Sequence, residues 1–329
     1  MSVIGRSTGL SHPGRRRRRN EDAWVCEPPL FAVADGMGGA RGGEIASRVA
    51  ATALGESVDG SGEQRVIALI QEANRQVYER AREDSDASGM GTTITVALFE
   101  DGIVSIGHVG DSRAYLIRDR KVDQLTEDHS LVAELVRTGR LSPEEAETHP
   151  QRSVITRALG TDPDVDVDVF SVEAKPGDLF LICSDGLTSM VDDATILDVV
   201  ERQRDDLDAA AKELVAAANL SGGEDNITVV FFEVVEEEAQ KPSETKPMPA
   251  LDDEPATRVA DEDTLTEADR VPAVDTMVVP PQHAREVAAE VEPEEPKERL
   301  SVLAARAVVS LAVVAGLALL VYWLLGQSQ

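Results

Sequence analysis

Four aspartates, Asp35, Asp111, Asp185 and Asp225, each stand where an apolar stretch begins or ends, beside a glycine or another small residue. Phe31-Ala32-Val33-Ala34 runs into Asp35-Gly36, and Leu179-Phe180-Leu181-Ile182-Cys183 runs into Ser184-Asp185-Gly186. Gly110-Asp111-Ser112 interrupts a third apolar run, and Asp225 opens a fourth with Asn226-Ile227-Thr228. A single aspartate in such a place is ordinarily a turn or cap residue. Four at strand ends can converge on one rim of a sheet, where their charges repel unless cations neutralise them. Ligation by oxygen alone suits Mg²⁺ or Mn²⁺. Five histidines in no paired spacing argue against zinc.

Cys26 and Cys183 form no C-x-x-C pair, so a reduced, cytosolic compartment is expected. Neither cysteine has an arginine six residues later, since Ala32 and Ser189 stand there. That disfavours a phosphatase built on a cysteine nucleophile.

The elements that must position these residues follow from periodicity. Glycines after Asp35 lead into a helix expected from Gly43 to about Glu56, and a second helix is expected from about Glu63 to Asp84. In the second, Val66, Leu69, Ile70, Ala73, Val77 and Ala81 share one face. From Gly91 the period becomes two, predicting strands over Thr92–Phe99, Ile103–Val109 and Ala114–Ile117 joined by tight turns. Short turns between successive strands indicate an antiparallel meander, not βαβ units. Residues 128–159 read as a helical, polar excursion, an insertion or flap. A strand over Asp178–Cys183, helices over about Ala194–Arg204 and Leu207–Asn219, and a last strand over Asn226–Val235 complete the pattern.

The charge is unevenly spread. The chain of 329 residues carries a net −29 with pI near 4.5, which argues against a nucleic-acid backbone as partner. Residues 236–299 hold 19 acids against 7 bases, with many prolines, and are expected to be a disordered linker. In that linker Thr257, Thr264 and Thr266 are candidate kinase targets. Ala307–Leu325 is an uncharged run of the length needed to cross a bilayer. Arg299 and Arg306 flank its N-terminal end, so the preceding chain is expected to face the cytosol. No apolar signal segment opens the chain. Arg15 to Arg19 form a run of five arginines, read in itself as a solvated basic loop.

Eight short motifs occur in order: Arg17-x-x-Asn20-Glu21-Asp22, Ala34-Asp35-Gly36-Met37-Gly38-Gly39, Gly91-Thr92-Thr93, Gly110-Asp111-Ser112-Arg113, Leu125-Thr126-x-Asp128-His129-Ser130, Ile155-Thr156-Arg157-Ala158-Leu159-Gly160, Ser184-Asp185-Gly186-Leu187 and Asp225-Asn226-Ile227-Thr228. Together, over about residues 1–235, they resemble the metal-dependent Ser/Thr protein phosphatases of the PPM (type 2C) family in their bacterial form. The resemblance implies an α+β fold, an αββα sandwich of two antiparallel sheets flanked by antiparallel helix pairs. It also implies two Mn²⁺ or Mg²⁺ ions at one rim. Asp35 would bridge them, with the Gly36 carbonyl on one and Asp185 and Asp225 on the other. Asp111, with Asp185, would hold a third, looser ion. Glu21 would orient water, and Arg17 would grip the phosphate.

The implied activity is hydrolysis of phosphoserine and phosphothreonine in proteins by direct attack of water held on the metal pair. It would oppose a cognate Ser/Thr kinase at the inner face of the membrane. Expected domains are the catalytic 1–235, the linker 236–300 and a single-pass anchor 301–326. Met37 stands where many eukaryotic members have a histidine proposed as general acid, so water or another group must protonate the leaving oxygen. His129 is a candidate by motif alone and reads rather as a structural residue. Two weaker readings are a catalytically dead scaffold, opposed by the intact aspartates, and an enzyme acting on a phosphorylated anti-sigma antagonist.

Overall fold

The computed structural model describes residues 2–83, 89–237 and 277–278. The N-terminal elements are β1 (Ser2–His12), β2 (Asp22–Glu27), β3 (Leu30–Met37), α1 (Gly39–Ala53) and α2 (Gly62–Glu83). The middle of the chain forms β4 (Gly91–Thr92), β5 (Ile94–Glu100), β6 (Ile103–Val109), β7 (Arg113–Arg118), β8 (Lys121–Gln124), α3 (Leu131–Arg137), α4 (Pro143–Glu147) and β9 (Val154–Ile155). Then come β10 (Asp168–Glu173), β11 (Leu179–Cys183), α5 (Asp185–Thr188), α6 (Asp193–Arg202), α7 (Leu207–Leu220), β12 (Ile227–Glu236) and β13 (Met277–Val278).

Two antiparallel sheets carry the fold, one ordered β1-β12-β11-β7-β8 and the other β10-β6-β5-β3-β2. The central strands are apolar on both faces because both faces are covered. Phe180 and Ile182 of β11 meet Phe31 and Val33 of β3 and Phe232 of β12 between the sheets. Leu179, Leu181 and Cys183, pointing the other way, pack with Ile196 and Val200 of α6 and Leu214 of α7. On the far side Ala32 and Ala34 pack under Ala46 and Ala50 of α1 and Ile70 of α2. The expected αββα layering of an α+β fold is therefore present. Phe232 stacks on Phe31 at 4.1 Å and on Phe180 at 4.8 Å, so one aromatic column ties the two sheets.

Three features differ from the periodicity reading. β6 and β7 do not continue one meander; they lie in different sheets, and Gly110-Asp111-Ser112 is the crossing between them. β1, β2 and β10 carry no clean alternation and escape it. In β1, a side-chain carbon on Gly9 would lie 2.5 Å from the Trp24 ring, so packing across strands selects glycine where a strand former is expected. Finally, the excursion after Asp128 is helical only in α3 and α4, because Thr138-Gly139 ends the first and His149-Pro150 separates the second from β9.

Within the stretch expected to be a disordered linker, β13 pairs in parallel with β9 through Met277 to Val154 and Val278 to Ile155. Its remaining residues beyond 237, with Thr257, Thr264 and Thr266, and the apolar run 307–325 lie outside the described residues. No helix among the described residues is long and apolar enough to cross a membrane.

The aromatic column makes a direct stability test. Phe232→Ala leaves a cavity between the sheets and is expected to destabilise the fold by about 3–5 kcal/mol, read as a lowered denaturation midpoint with an unchanged m-value.

Candidate metal centre

One rim of the sandwich collects the carboxylates. Asp22, at the start of β2, stands opposite Asp35 in the β2–β3 register. Asp185 opens α5 two residues past the end of β11, and Asp225 stands two residues before the start of β12, the strand paired with β11. Asp111 joins them from the crossing between the sheets.

Backbone contacts hold these ends together. Gly36 N–H donates to the Glu21 carbonyl at 3.1 Å, and Ser184 N–H to the Thr228 carbonyl at 3.1 Å. A side-chain carbon on Gly36 would sit 2.0 Å from the Gly43 carbonyl and 2.6 Å from that of Glu21, so only glycine lets the strand end approach. Asp35 N–H donates to Thr93 Oγ1 at 3.0 Å, and that hydroxyl meets Ser112 Oγ at 2.9 Å, which links Asp35 to the Asp111 crossing. Asn226 is the hub: its Oδ1 accepts Glu21 N–H at 2.7 Å, and its Nδ2 donates to the Pro13 and Arg19 carbonyls at 3.0 and 2.9 Å.

The clustering has an electrostatic signature. Burial pushes the Asp35 carboxyl well above the usual range, and Asp22, Asp185, Asp225 and Asp111 add repulsion. Burial, then Asp185 and Asp128, raise Asp111 likewise, against a pull from Arg113. Asp185 is pushed up to about 7 by burial and by Asp225, while a hydrogen bond from Asp35 restrains the rise. Asp22 also reaches about 7 through burial, although its Oδ2 accepts the hydroxyls of Ser184 (2.9 Å) and Thr228.

Two oxygens on this rim, Asp22 Oδ1 and Asp185 Oδ1, are buried without a hydrogen-bond partner. A buried carboxylate oxygen left without a donor costs on the order of 1–3 kcal/mol. Hard divalent cations are the partners that such an all-oxygen set fits.

Every residue expected at the site from the sequence lies at this rim, but one pairing differs. Arg17 donates to Asp225 Oδ2 at 2.8 Å, so the residue expected to grip phosphate and one expected to hold a cation bond each other. In this arrangement no group of three or more His, Cys, Asp or Glu among the described residues stands ready to hold a metal ion. For Asp225 to serve as a cation ligand, it would have to give up the Arg17 guanidinium. Asp22 is not among the residues that the sequence marks for the site. Its signal was its place next to Glu21, one step along a strand facing Asp35.

The remaining candidates resolve into structure. His129 Nδ1 accepts Gly110 N–H at 3.0 Å, and its Nε2–H faces Asp168 at 3.1 Å, which makes it a brace for the Asp111 crossing. Met37 is buried against Ile155 and Ala158, where it anchors the excursion. Burial drives the Cys183 thiol up to about 12 and also raises Cys26, leaving neither as a thiolate nucleophile.

Comparison with known proteins gives a consistent picture. Residues 8–221 match the family model described as Protein phosphatase 2C. The chain is 42% identical over 233 residues to the serine/threonine phosphatase stp of Listeria welshimeri, covering 67% of this chain and 92% of that protein. It is 39% identical over 240 residues to the serine/threonine protein phosphatase PstP of Mycobacterium tuberculosis, covering 72% of this chain and 46% of PstP. A crystal structure of the PstP catalytic domain in complex with two manganese ions aligns with a TM-score of 0.66 at 36% identity, over 72% of this chain and all of that one.

His108, which touches His129 ring to ring at 4.7 Å, offers a pH test away from the carboxylates. Burial, then His129, lowers its pKa to about 3, so it stays neutral in the fold while the unfolded chain protonates it near 6.5. The unfolded state therefore binds the extra proton between those values, and acid selectively destabilises the native protein. Wild type is expected to lose about 1.4 kcal/mol more per pH unit between pH ~6 and ~4 than His108→Gln, measured by denaturant unfolding. Parallel slopes would contradict the assignment.

Proposed function

The chain belongs to the protein phosphatase 2C family, and from that premise we propose that it hydrolyses phosphoserine and phosphothreonine in proteins, using a divalent pair held at the carboxylate rim. The observation that carries this reading is the convergence of Asp22, Asp35, Asp111, Asp185 and Asp225, with two buried oxygens left without partners. Asp35, Asp185, Asp225 and the Gly36 carbonyl would hold two Mn²⁺ or Mg²⁺ ions, and Asp111 with Asp185 a third. When bound, such ions supply a lowered pKa for water and charge neutralisation at phosphorus.

This chain's own residues do the rest. Glu21, clamped by Asn226 and beside Gly36, orients the attacking water. Arg17, released from Asp225, holds two phosphoryl oxygens through its planar fork and offsets charge that builds on them. Water oxygen bonds to phosphorus, the bond to the serine or threonine oxygen breaks, and a proton passes to the departing alkoxide. No phosphoenzyme forms, in keeping with thiols held protonated, Cys183 fully buried and Cys26 half-buried. Neither Met37 nor His129 donates that last proton: one has none to give, and the other spends its N–H on Asp168. Solvent water relays it, and the proton lost by the attacking water as its oxygen bonds phosphorus balances the step.

The domain boundaries extend this reading. We place catalysis in residues 1–235, a tether in 236–300 and a single-pass membrane anchor in 301–326, with the catalytic domain on the cytosolic side opposing a Ser/Thr kinase. The support is the uncharged run Ala307–Leu325 with Arg299 and Arg306 before it.

Asp35→Ala, Asp225→Ala and chelation are each expected to reduce hydrolysis of p-nitrophenyl phosphate and a phosphothreonine peptide by roughly 10³-fold or more. Retained turnover in any of the three would sink the metal assignment. In fractionated cells the full chain should stay with membranes through a high-salt wash, and a chain ending at residue 300 should move to the soluble fraction. Identical partitioning of the two would remove the anchor.

A further inference from the structure

Arg15, Arg16 and Arg18 surround the inward-turned Arg17, and their side chains are exposed. A run of five arginines is out of keeping with a chain of net charge −29, and like charges at such spacing repel. Yet the loop that bears them is firmly built. Asn226 Nδ2 clasps both of its ends, through Pro13 and Arg19 carbonyls. The N–H groups of Arg15 and Arg16 both donate to the Gly223 carbonyl, at 2.8 and 3.2 Å. Gly14 has φ +77°, and a side-chain carbon there would lie 2.1 Å from the Asp225 carbonyl, so the loop lies directly on the backbone of the site. Glu224, next to Gly223 in sequence, is already faced by Arg152 at 3.5 Å.

We propose that Arg15, Arg16 and Arg18 form a basic lip on the phosphate site that selects phosphoproteins carrying acidic residues beside the phosphorylated one. The inference rests on the phosphatase reading above. Arg17 reaches inward to the phosphoryl group, so residues flanking that group in an extended substrate must pass its neighbours in the loop. Guanidinium forks pair with carboxylates. The acidic surface elsewhere repels such substrates, which makes the lip the place where an acidic flank gains. Basic flanks meet like charge there. Exposed pairs of this kind act mainly through complementarity and encounter, so the effect is expected in kcat/KM and to fade with salt.

The test uses the full chain with Mn²⁺ and three phosphothreonine peptides that share a core and differ in Glu, Ala or Lys flanks. Wild type should prefer the Glu peptide over the Lys peptide by about tenfold at low salt. R15Q/R16Q/R18Q should bring that ratio near one while hydrolysing p-nitrophenyl phosphate at the wild-type rate. If the variant does not fold, the wild-type ratio decides by its salt dependence, and a preference unchanged between about 50 and about 500 mM salt overturns the proposal. Equal ratios in wild type and variant, with full p-nitrophenyl phosphate activity, also overturn it. So does an unchanged ratio accompanied by lost binding to phosphatidylserine vesicles, which would make the lip a lipid contact. A wild-type chain inert on all substrates would sink the phosphatase reading instead, and this inference with it.

Discussion

The burial of five crowded, mutually repelling aspartates at one rim constrains the rest of the structure. At an effective dielectric of about 20, two unit charges about 4 Å apart cost on the order of 4 kcal/mol, which burial adds to and which pushes the rim carboxyls toward protonation. The fold does so through positive and hydrogen-bonding groups aimed at the cluster. Arg17 takes Asp225, Asp35 and Asp185 share a hydrogen bond, and Ser184 and Thr228 donate to Asp22. What remains unsatisfied, at Asp22 Oδ1 and Asp185 Oδ1, is where a hard cation would fit. Strain of this sort persists only where the surroundings over-determine it. Here the surroundings are two sheets joined by the Phe31–Phe232–Phe180 column and covered on both outer faces.

Asn226 shows how an uncharged residue serves a charged site. Its carbonyl oxygen fixes the Glu21 backbone, and its amide closes the arginine loop at both ends. One side chain thus ties the rim residues proposed to hold cations to the loop that carries Arg17, proposed to meet phosphate. His129 plays the matching part on the other side of the rim, where it braces Gly110 next to Asp111. Neither residue needs to touch substrate to matter.

Much of this was legible in the sequence, for local reasons. Strands that end in Asp-Gly advertise themselves, since apolar runs and glycine are short-range signals. Asp35, Asp185 and Asp225 could be located in that way, and the helix faces of α2 and α7 by their spacing. What escaped depends on long-range partners. β1 carries Gly5 and Gly9 because Val235 and the Trp24 ring lie over them, and nothing nearby in sequence says so. The switch of sheet at Gly110-Asp111-Ser112 looks like an ordinary interruption until the two sheets stack. Asp22 is half of a cross-strand pair with Asp35, visible only once the β2–β3 register is known. Met37, read as a missing proton donor, is an apolar anchor for the excursion through Ile155 and Ala158.

On the metal reading, the rim is poised against itself until divalent cations bind. Thermal unfolding of the wild type and Asp35→Asn, with chelator and with saturating Mn²⁺, tests it most directly, because the readout is stability and not turnover. Replacing the buried carboxyl that the fold must hold protonated with a neutral amide should raise the variant's Tm above wild type in chelator. Mn²⁺ should raise the wild-type Tm by several degrees and leave the variant nearly unmoved. A variant that is less stable in chelator, or that gains as much from Mn²⁺ as wild type does, would contradict the account.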